Sequence, residues 1–401
     1  MAVPEIVILS ARRTPIGKYG GSFRDLHPAE LGAVAARAAI AQSGLSATDV
    51  DEVVMGHGRQ AGSGPNTARQ VGHRAGIPAS SPAFTVNKAC ASGLQAIVSG
   101  AQSIALGESD VVLAGGIESM SRMPYLIDAI DARWGHKMGN FALVDAMYRD
   151  GFQCPLSNLI MGETAEVLAR QYGITRDESD CFALESQRKA TAAIAAGYFR
   201  REIAPVTVLV KGKSVSVEQD EHPRADASIE SLRKLSTVFN DVEGMPGVIT
   251  AGSSSGVTDG GAALVLTSAA HAERRALKPR AKILGWASAG VDPRVMGIGP
   301  VPAIRTLSER TGLSVGDFDL VELNEAFAPQ VLAVLRDVPI SADRLNVNGG
   351  AIALGHPIGC TGARIVVTLL HELERRRARR GLATLCVSGG MGMALAIERC
   401  E

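Results

Sequence analysis

The chain has 401 residues, 46% of them hydrophobic, too many for one compact core and enough to fill two or three lobes of roughly 100 to 150 residues. Its 41 basic and 41 acidic residues cancel, so no global field favours nucleic acid or an anionic membrane, and an anionic ligand must be held by local groups. Six cysteines, at 90, 154, 181, 360, 386 and 400, form no CxxC pair and no zinc-type grouping, which argues against a disulfide framework or a structural metal.

The first segment, MAVPEIVILSARRTP, is a short apolar strand followed at once by charge, neither a signal h-region nor a transit segment. No run is read as reaching the ~20 apolar residues of a membrane span. With the free thiols, this leads to the expectation of a cytoplasmic protein without membrane insertion, although a processed mitochondrial matrix form would look the same. Strand-like and helical patterns then alternate: EIVILSA, PAELGAVAARAAIAQSGL, VDEVVMGHG, NTARQVGHRAGI, PAFTV. Such alternation predicts an α/β layer architecture. Next comes VNKACASGLQAI, in which Leu94, Ile97, Val98, Ala101, Ile104 and Ala105 share one helical face, so Cys90 sits where a strand turns into a helix.

Residues 121–250 differ in texture, with RMPYLIDAIDARWGHK, FQCPLSN, an amphipathic stretch and a charged stretch ending in DEHPRADAS. This is too long for an unstructured connection and reads as an inserted lobe over a cleft. The last third repeats the early order: AKILGWAS, PAIRTLSERTGL, FDLVELNEAF, LNVNGGAIALGHPIGCTGARIVVTLLHEL, LATLCVSGGMGMALAIE. VDEVVMGH matches FDLVELNE, and SDVVLAGGIE matches ATLCVSGGMG, in the same order, as an internal duplication would produce. The expected division is 1–120 with 251–272 as one half, 121–250 as the lobe and 273–401 as the second half. Corresponding turns of the two halves should meet at the cleft.

Three glycine-rich turns carry candidate chemistry. Cys90 is either a small buried hydrophobe or a nucleophile. His356, in GGAIALGHPIGCTGAR, stands in the duplicate of the Cys90 corner. Cys386 closes the strand LATLCVS before Gly389 and Gly390. Asn324, in NEAFA, is either a helix N-cap or an amide that orients water or an oxyanion.

Together NKACASGLQAI, TAGSSSGVTDGGAA, NEAFA, GGAIALGHPIGCTGAR and CVSGGMG resemble the thiolase family over essentially the whole chain. The resemblance implies a duplicated αβαβα layered fold with an inserted loop domain. It implies a thiolase activity, the reversible Claisen condensation or thiolysis of 3-ketoacyl-CoA by ping-pong transfer. Cys90 would be the acyl-carrying nucleophile, its thiol pKa lowered toward neutrality by the helix start. His356 would be its base and an oxyanion donor, Cys386 the second acid/base, and Asn324 the holder of a water at the enolate oxygen. Backbone N–H groups of Cys90 and of Ser388, where the family motif has Gly, would form the other oxyanion hole; each such donor is worth roughly 3 kcal/mol.

Coenzyme A or acyl-CoA is implied as substrate, with no tightly bound cofactor and no metal. Arg224 and Ser231 would meet its nucleotide end, Ser255 would contact its pantetheine with Phe239, Ala326 and Phe327 flanking it, and Met161 and Ala251 are further implied CoA contacts. There is neither GxGxxG nor a Walker-type loop for the pyrophosphate. Three departures stand out: Ile160 where short-chain members often carry His, Ser253 and Ser254 in place of Asn-Ala, and an enlargement near EGMPG. A homodimer or homotetramer is implied, the apolar segment Tyr125 to Trp134 being the candidate tetramer contact. Alternatives are a ketoacyl synthase-type condensing enzyme, argued against by the Asn324, His356, Cys386 set, and Cys-His hydrolysis, which leaves Cys386 without a role. A non-catalytic CoA or lipid carrier would need neither thiol.

Overall fold

In the computed structural model, which describes residues 4–239, 244 and 246–400, a mixed sheet runs through the whole molecule. The enlargement at 243–247 therefore lies partly outside the described residues. In the first half, Glu52–His57 pairs in parallel with both Ala83–Val86 and Val111–Ser119. Val111–Ser119 is antiparallel to Thr258–Ser268, which is antiparallel to Ile6–Arg13. The second half repeats this order: Leu320–Leu323 runs parallel to Arg380–Val387 and, at Val321, to Leu345. Arg380–Val387 is antiparallel to Met391–Arg399, which is antiparallel to Ala281–Gly290. The halves join where Val7 and Ile8 pair with Lys282 and Ala281.

Two long apolar helices, Ser92–Leu106 and Ile358–Arg376, lie side by side between the halves, and one core cluster unites them with the inner faces of both. Pro28–Ser43 and Thr67–Ala75 cover the outer face of the first half. Pro300–Thr311 and Ala328–Asp337 cover that of the second. The result is the expected five-layered αβαβα arrangement. The first central helix corrects one reading, because the window Ala89–Leu106 is long and apolar enough to cross a membrane. It is 67% buried inside the fold, so its apolar surface serves the core.

The described residues of 121–250 include the α-helices Met161–Gln171, Arg176–Ala195 and the short Ile229–Arg233, with two small hairpins, Tyr125–Leu126 with Val144–Asp145 and Val206–Val210 with Lys213–Val217. The second helix starts on a capping box in which Thr175 Oγ1 accepts from Glu178 N and Glu178 accepts from Thr175 N. Arg13 anchors this segment to the sheet: its Nε donates to Glu202 at 2.6 Å and its Nη1 to Asp220 at 2.6 Å, with all three side chains buried.

The central helices approach at backbone distance because their starts are glycine-rich. A Cβ on Gly93 would stand 2.7 Å from Ala363 N, and one on Gly359 would stand 2.6 Å from Gly58 N. Gly93→Ala should therefore push the helices apart, destabilising the protein by about 1–3 kcal/mol in denaturant titrations. An unchanged midpoint would mean that the helices can separate at no cost.

Candidate active site

Cys90 lies between the strand Ala83–Val86 and the helix Ser92–Leu106. The turn is tight enough to hold Ala89 at φ +45°, a left-handed conformation that a non-glycine residue adopts only when its surroundings compel it. Those surroundings are polar clamps: Asn87 Oδ1 accepts from Ala89 N at 3.0 Å, and Ser92 Oγ accepts from Lys88 N at 2.8 Å and donates to Ala89 O at 2.7 Å. Asn87 Nδ2 ties the turn to Gly58 O at 3.1 Å.

The corresponding corner of the second half places His356 immediately before Pro357 and the helix Ile358–Arg376. Its main-chain N–H donates to Gly256 O at 2.9 Å, and its Nδ1 is 2.6 Å from Thr361 Oγ1. The Thr361 hydroxyl already donates to Pro357 O at 2.9 Å, so toward His356 it can only accept. The proton therefore sits on Nδ1 and leaves Nε2 as an acceptor, and Nε2 has no protein partner among the described residues. Burial, reinforced by the Arg364 and Arg59 charges, pushes the His356 pKa down to about 3. The ring is a neutral imidazole with its basic nitrogen free.

Burial also decides the state of Cys90, and here a sequence expectation is overturned. The thiol pKa is raised, because burial outweighs the Arg59 charge and the N–H groups of Ser388 and Cys90 that favour the thiolate. The helix start does not deliver a resting thiolate; the proton must leave as the sulfur attacks. Cys386, fully buried near the end of Arg380–Val387, has its thiol pushed up by burial and then by the nearness of Cys90. The two thiols are thus near enough for each to feel the other's charge.

Main-chain N–H groups of Cys90 and Ser388 both point at the Cys90 sulfur. The Gly-to-Ser departure is accommodated without strain, since the left-handed positions of this loop are Gly389 and Gly390 and Ser388 is not among them. Asn324 is not a helix cap, because the next helix begins at Ala328. It follows Leu320–Leu323, donates its main-chain N–H to Thr384 O at 3.0 Å, and keeps both side-chain amide atoms buried without a protein partner among the described residues. An amide so placed costs about 1–3 kcal/mol unless it binds a water or a substrate oxygen.

A cleft of about 630 Å³ opens onto these groups, a size suited to a small-molecule site. Cys90, His356 and Ser388 line it, together with Met161, Arg224, Phe239, Ala251, Ser255, Ala326 and Phe327. Cys386 and Asn324 stand behind this lining. Phe239 and Phe327 meet edge to face, ring centroids 6.5 Å apart. Ser255 N donates to Ala326 O at 3.0 Å. The departures Ser253 and Ser254 brace their own turn: Ser253 Oγ accepts from Thr250 N at 2.9 Å, and Ser254 Oγ donates to Thr250 O at 2.8 Å. Ile160 also lines the cleft.

Ser231 has a local structural role. It lies outside the cleft lining, and its Oγ donates to Ser228 O at 2.8 Å while Ser228 Oγ caps its N–H. It serves the short helix Ile229–Arg233.

Three residues of this region were not singled out from sequence. His222 lines the cleft with Nδ1 2.8 Å from Ala353 O, and burial lowers its pKa. Arg59 lines it beside Cys90. Glu118, fully buried, is held below the usual carboxylate range: burial opposes its charge, but His57 Nε2 at 3.1 Å, Arg59 and the Gly359 N–H prevail. A signal existed in His57-Gly58-Arg59, a polar cluster directly after the buried strand residues VVM.

Such a site is equipped for acyl transfer through sulfur, with a thiol to carry the acyl group, an imidazole to take its proton and two main-chain donors for the oxyanion. The comparisons with known proteins point the same way. Residues 6–270 match the thiolase N-terminal domain and 277–399 the thiolase C-terminal domain, and the chain belongs to the thiolase family. It is 49% identical over 396 residues to an acetyl-CoA acetyltransferase of Pseudomonas aeruginosa, covering 98% of this chain and 99% of that one. A crystal structure of the Bacillus anthracis acetyl-CoA acetyltransferase superposes with a TM-score of 0.96 at 45% identity, over 100% of both chains. Human mitochondrial 3-ketoacyl-CoA thiolase in complex with CoA does so with a TM-score of 0.94 at 42% identity, over 99% of this chain and 98% of that one.

A raised thiol pKa sets a pH dependence. The thiolate fraction of Cys90 grows only above the ordinary thiol range, so alkylation by uncharged iodoacetamide should still be accelerating beyond about pH 8.5. A plateau reached near neutrality would show a preformed thiolate instead.

Proposed function

We propose that this protein is a thiolase that joins or cleaves 3-ketoacyl-CoA by ping-pong transfer through a Cys90 thioester. The observation that carries the reading is a buried thiol in the cleft wall, Cys90, with a second buried thiol, Cys386, near it and a neutral His356 whose Nε2 has no partner among the described residues. One thiol suffices for hydrolysis or simple acyl transfer; a carbon–carbon step needs a second proton carrier.

In the first half-reaction, Cys90 Sγ attacks the thioester carbonyl, its proton passes to His356 Nε2, and CoA leaves as the thiol. The oxyanion is held by the N–H groups of Cys90 and Ser388. In the second, Cys386 passes its proton to His356 Nε2 and, as the thiolate, removes the α proton of acetyl-CoA. Asn324, through a water, with the now protonated His356 stabilises the enolate oxygen, and His356 returns that proton to the Cys90 sulfur when it is released. The enolate carbon attacks the acyl-enzyme, a carbon–carbon bond forms and Cys90 is released; thiolysis is the reverse. Because Cys386 begins as a thiol with a raised pKa, it also suits the reverse step, protonation of the departing carbanion.

CoA would lie along the inserted segment, pantetheine between Phe239 and Phe327 and against Ser255, with Arg224 toward the nucleotide. The division into halves 1–120 with 251–272 and 273–401, and a lobe 121–250, belongs to the same proposal and is supported by the repeated strand order. A homodimer or homotetramer is proposed too: Tyr125, Ile130 and Trp134 are strongly exposed for apolar side chains. A cytoplasmic site, or a matrix site after processing, accords with the free thiols.

Intact-mass analysis after incubation with acetyl-CoA should show one acetyl group on the wild type and none on Cys90→Ser. Cys386→Ala should still acylate yet lose exchange of the acetyl-CoA α proton by about a hundredfold or more. Absence of the wild-type adduct would sink the reading, and exchange at the wild-type rate in Cys386→Ala would remove Cys386 as the second base.

A further inference from the structure

We propose that Arg59 receives a carboxylate at the far end of the acyl chain, so that acyl groups ending in a negative charge are preferred; this rests on the thiolase reading above. Arg59 is only 6% exposed and forms part of the cleft wall with Met120, Tyr148, Phe152 and Ile358. Two carbonyls of the inserted segment fix its plane, Nη1 donating to Asp150 O at 3.1 Å and Nη2 to Gly151 O at 2.5 Å. Among the described residues that leaves the Nε–H, and the second proton of each Nη, without a protein acceptor; Nε is buried as well.

No carboxylate lies within ion-pair distance of this guanidinium among the described residues. The nearby Glu118 accepts from the Arg59 main-chain N–H at 3.1 Å, and it also lies 3.1 Å from His57 Nε2 and accepts from Gly359 N at 2.9 Å. A cation surrounded by Met120, Phe152 and Ile358, and supplied only with carbonyl dipoles, is costly unless a ligand oxygen completes its fork. An alkyl chain would bury those N–H groups with nothing to accept them.

The anion belongs to the acyl group rather than to CoA. The Arg59 charge is felt at Cys90 and His356, the reactive end, whereas the Arg224 charge is felt at His222 toward the proposed CoA side. The step itself is unchanged in kind. The Cys90 sulfur forms a bond to the carbonyl carbon of an ω-carboxyacyl thioester, the bond from that carbon to the CoA sulfur breaks, and CoA leaves with the proton taken from Cys90. Arg59 holds the far carboxylate meanwhile and exchanges no proton. No oxidant or further reactant is required.

The test compares rates of Cys90 acylation, read as CoA release with intact mass, for glutaryl-CoA against pentanoyl-CoA and adipyl-CoA against hexanoyl-CoA. In the wild type the carboxylated member of at least one pair should react faster. In Arg59→Met that ratio should fall at least about tenfold, equivalent to ~1.4 kcal/mol, with Arg59→Lys intermediate. A wild-type ratio at or below one in both pairs overturns the proposal, and this arm needs no variant to fold. So does an equal loss for both members in Arg59→Met, which would make Arg59 a partner of Cys90 alone. If acetyl-CoA itself leaves no adduct on the wild type, the thiolase reading fails instead.

Discussion

The site exists because two polypeptide backbones come within contact distance of each other at the starts of the central helices. Gly93 faces Ala363 and the Gly359 carbonyl, and Gly359 faces the backbone at His57, Gly58 and Ile117. No side chain fits between them. This forces the Cys90 corner of one half against the His356 corner of the other, so a duplication of one layered unit becomes a bimolecular arrangement of nucleophile and base. Shape complementarity at backbone level is also stiff, because interiors this dense yield little to volume change. The nucleophile turn itself is held by its own half, where Asn87 and Ser92 clamp Ala89 in its left-handed conformation.

Bringing these groups together also removes them from water, and burial is the larger force on their charges. A helix start favours a thiolate by an amount on the order of 1 kcal/mol, whereas desolvation of a fully buried ionisable group shifts its pKa by up to several units. The outcome is a resting site of neutral groups: thiol Cys90, imidazole His356, thiol Cys386. Neutral groups suit chemistry in which charge appears only as bonds change, since the donors at Cys90 and Ser388 then act on an oxyanion rather than on a resting thiolate. The charges that do persist nearby, Glu118 and Arg59, are tied to the same helix start through Gly359 N and to the inserted segment through the Asp150 and Gly151 carbonyls.

Much of this was legible in the sequence because it was written in periodicity and glycine placement. The strand–helix alternation, the repeat of VDEVVMGH in FDLVELNE, and the three turns holding Cys90, His356 and Cys386 all depend on local pattern. The sign of the Cys90 shift was not legible, since it depends on burial by the opposite half, which no window around residue 90 contains. Arg59 and His222 escaped for the same reason: each reaches the cleft from a loop whose direction is set by distant packing. Ser231 carries a second signal that is local. Ser228 and Ser231, three residues apart ahead of a helical turn, are a capping pair, and that spacing competes with any binding role.

The departures from the family pattern show which parts of such a site tolerate substitution. At 388 the working group is a main-chain N–H, and the strained angles belong to Gly389 and Gly390, so a serine side chain changes nothing that the reaction uses. At 253 and 254 the working property is the path of the turn, and two hydroxyls bonded to Thr250 preserve it. Where a side-chain atom itself acts, as at Cys90, His356 and Cys386, the residue type matches the family motif. Arg59 belongs to neither group. Besides holding the Asp150 and Gly151 carbonyls, it would supply, on the proposal above, a side-chain charge to the acyl end of the cleft. A buried cation is costly to a structure that could have placed an apolar side chain there. The two carbonyls it holds offset part of that cost, and a carboxylate entering the cleft, as proposed, would offset the rest.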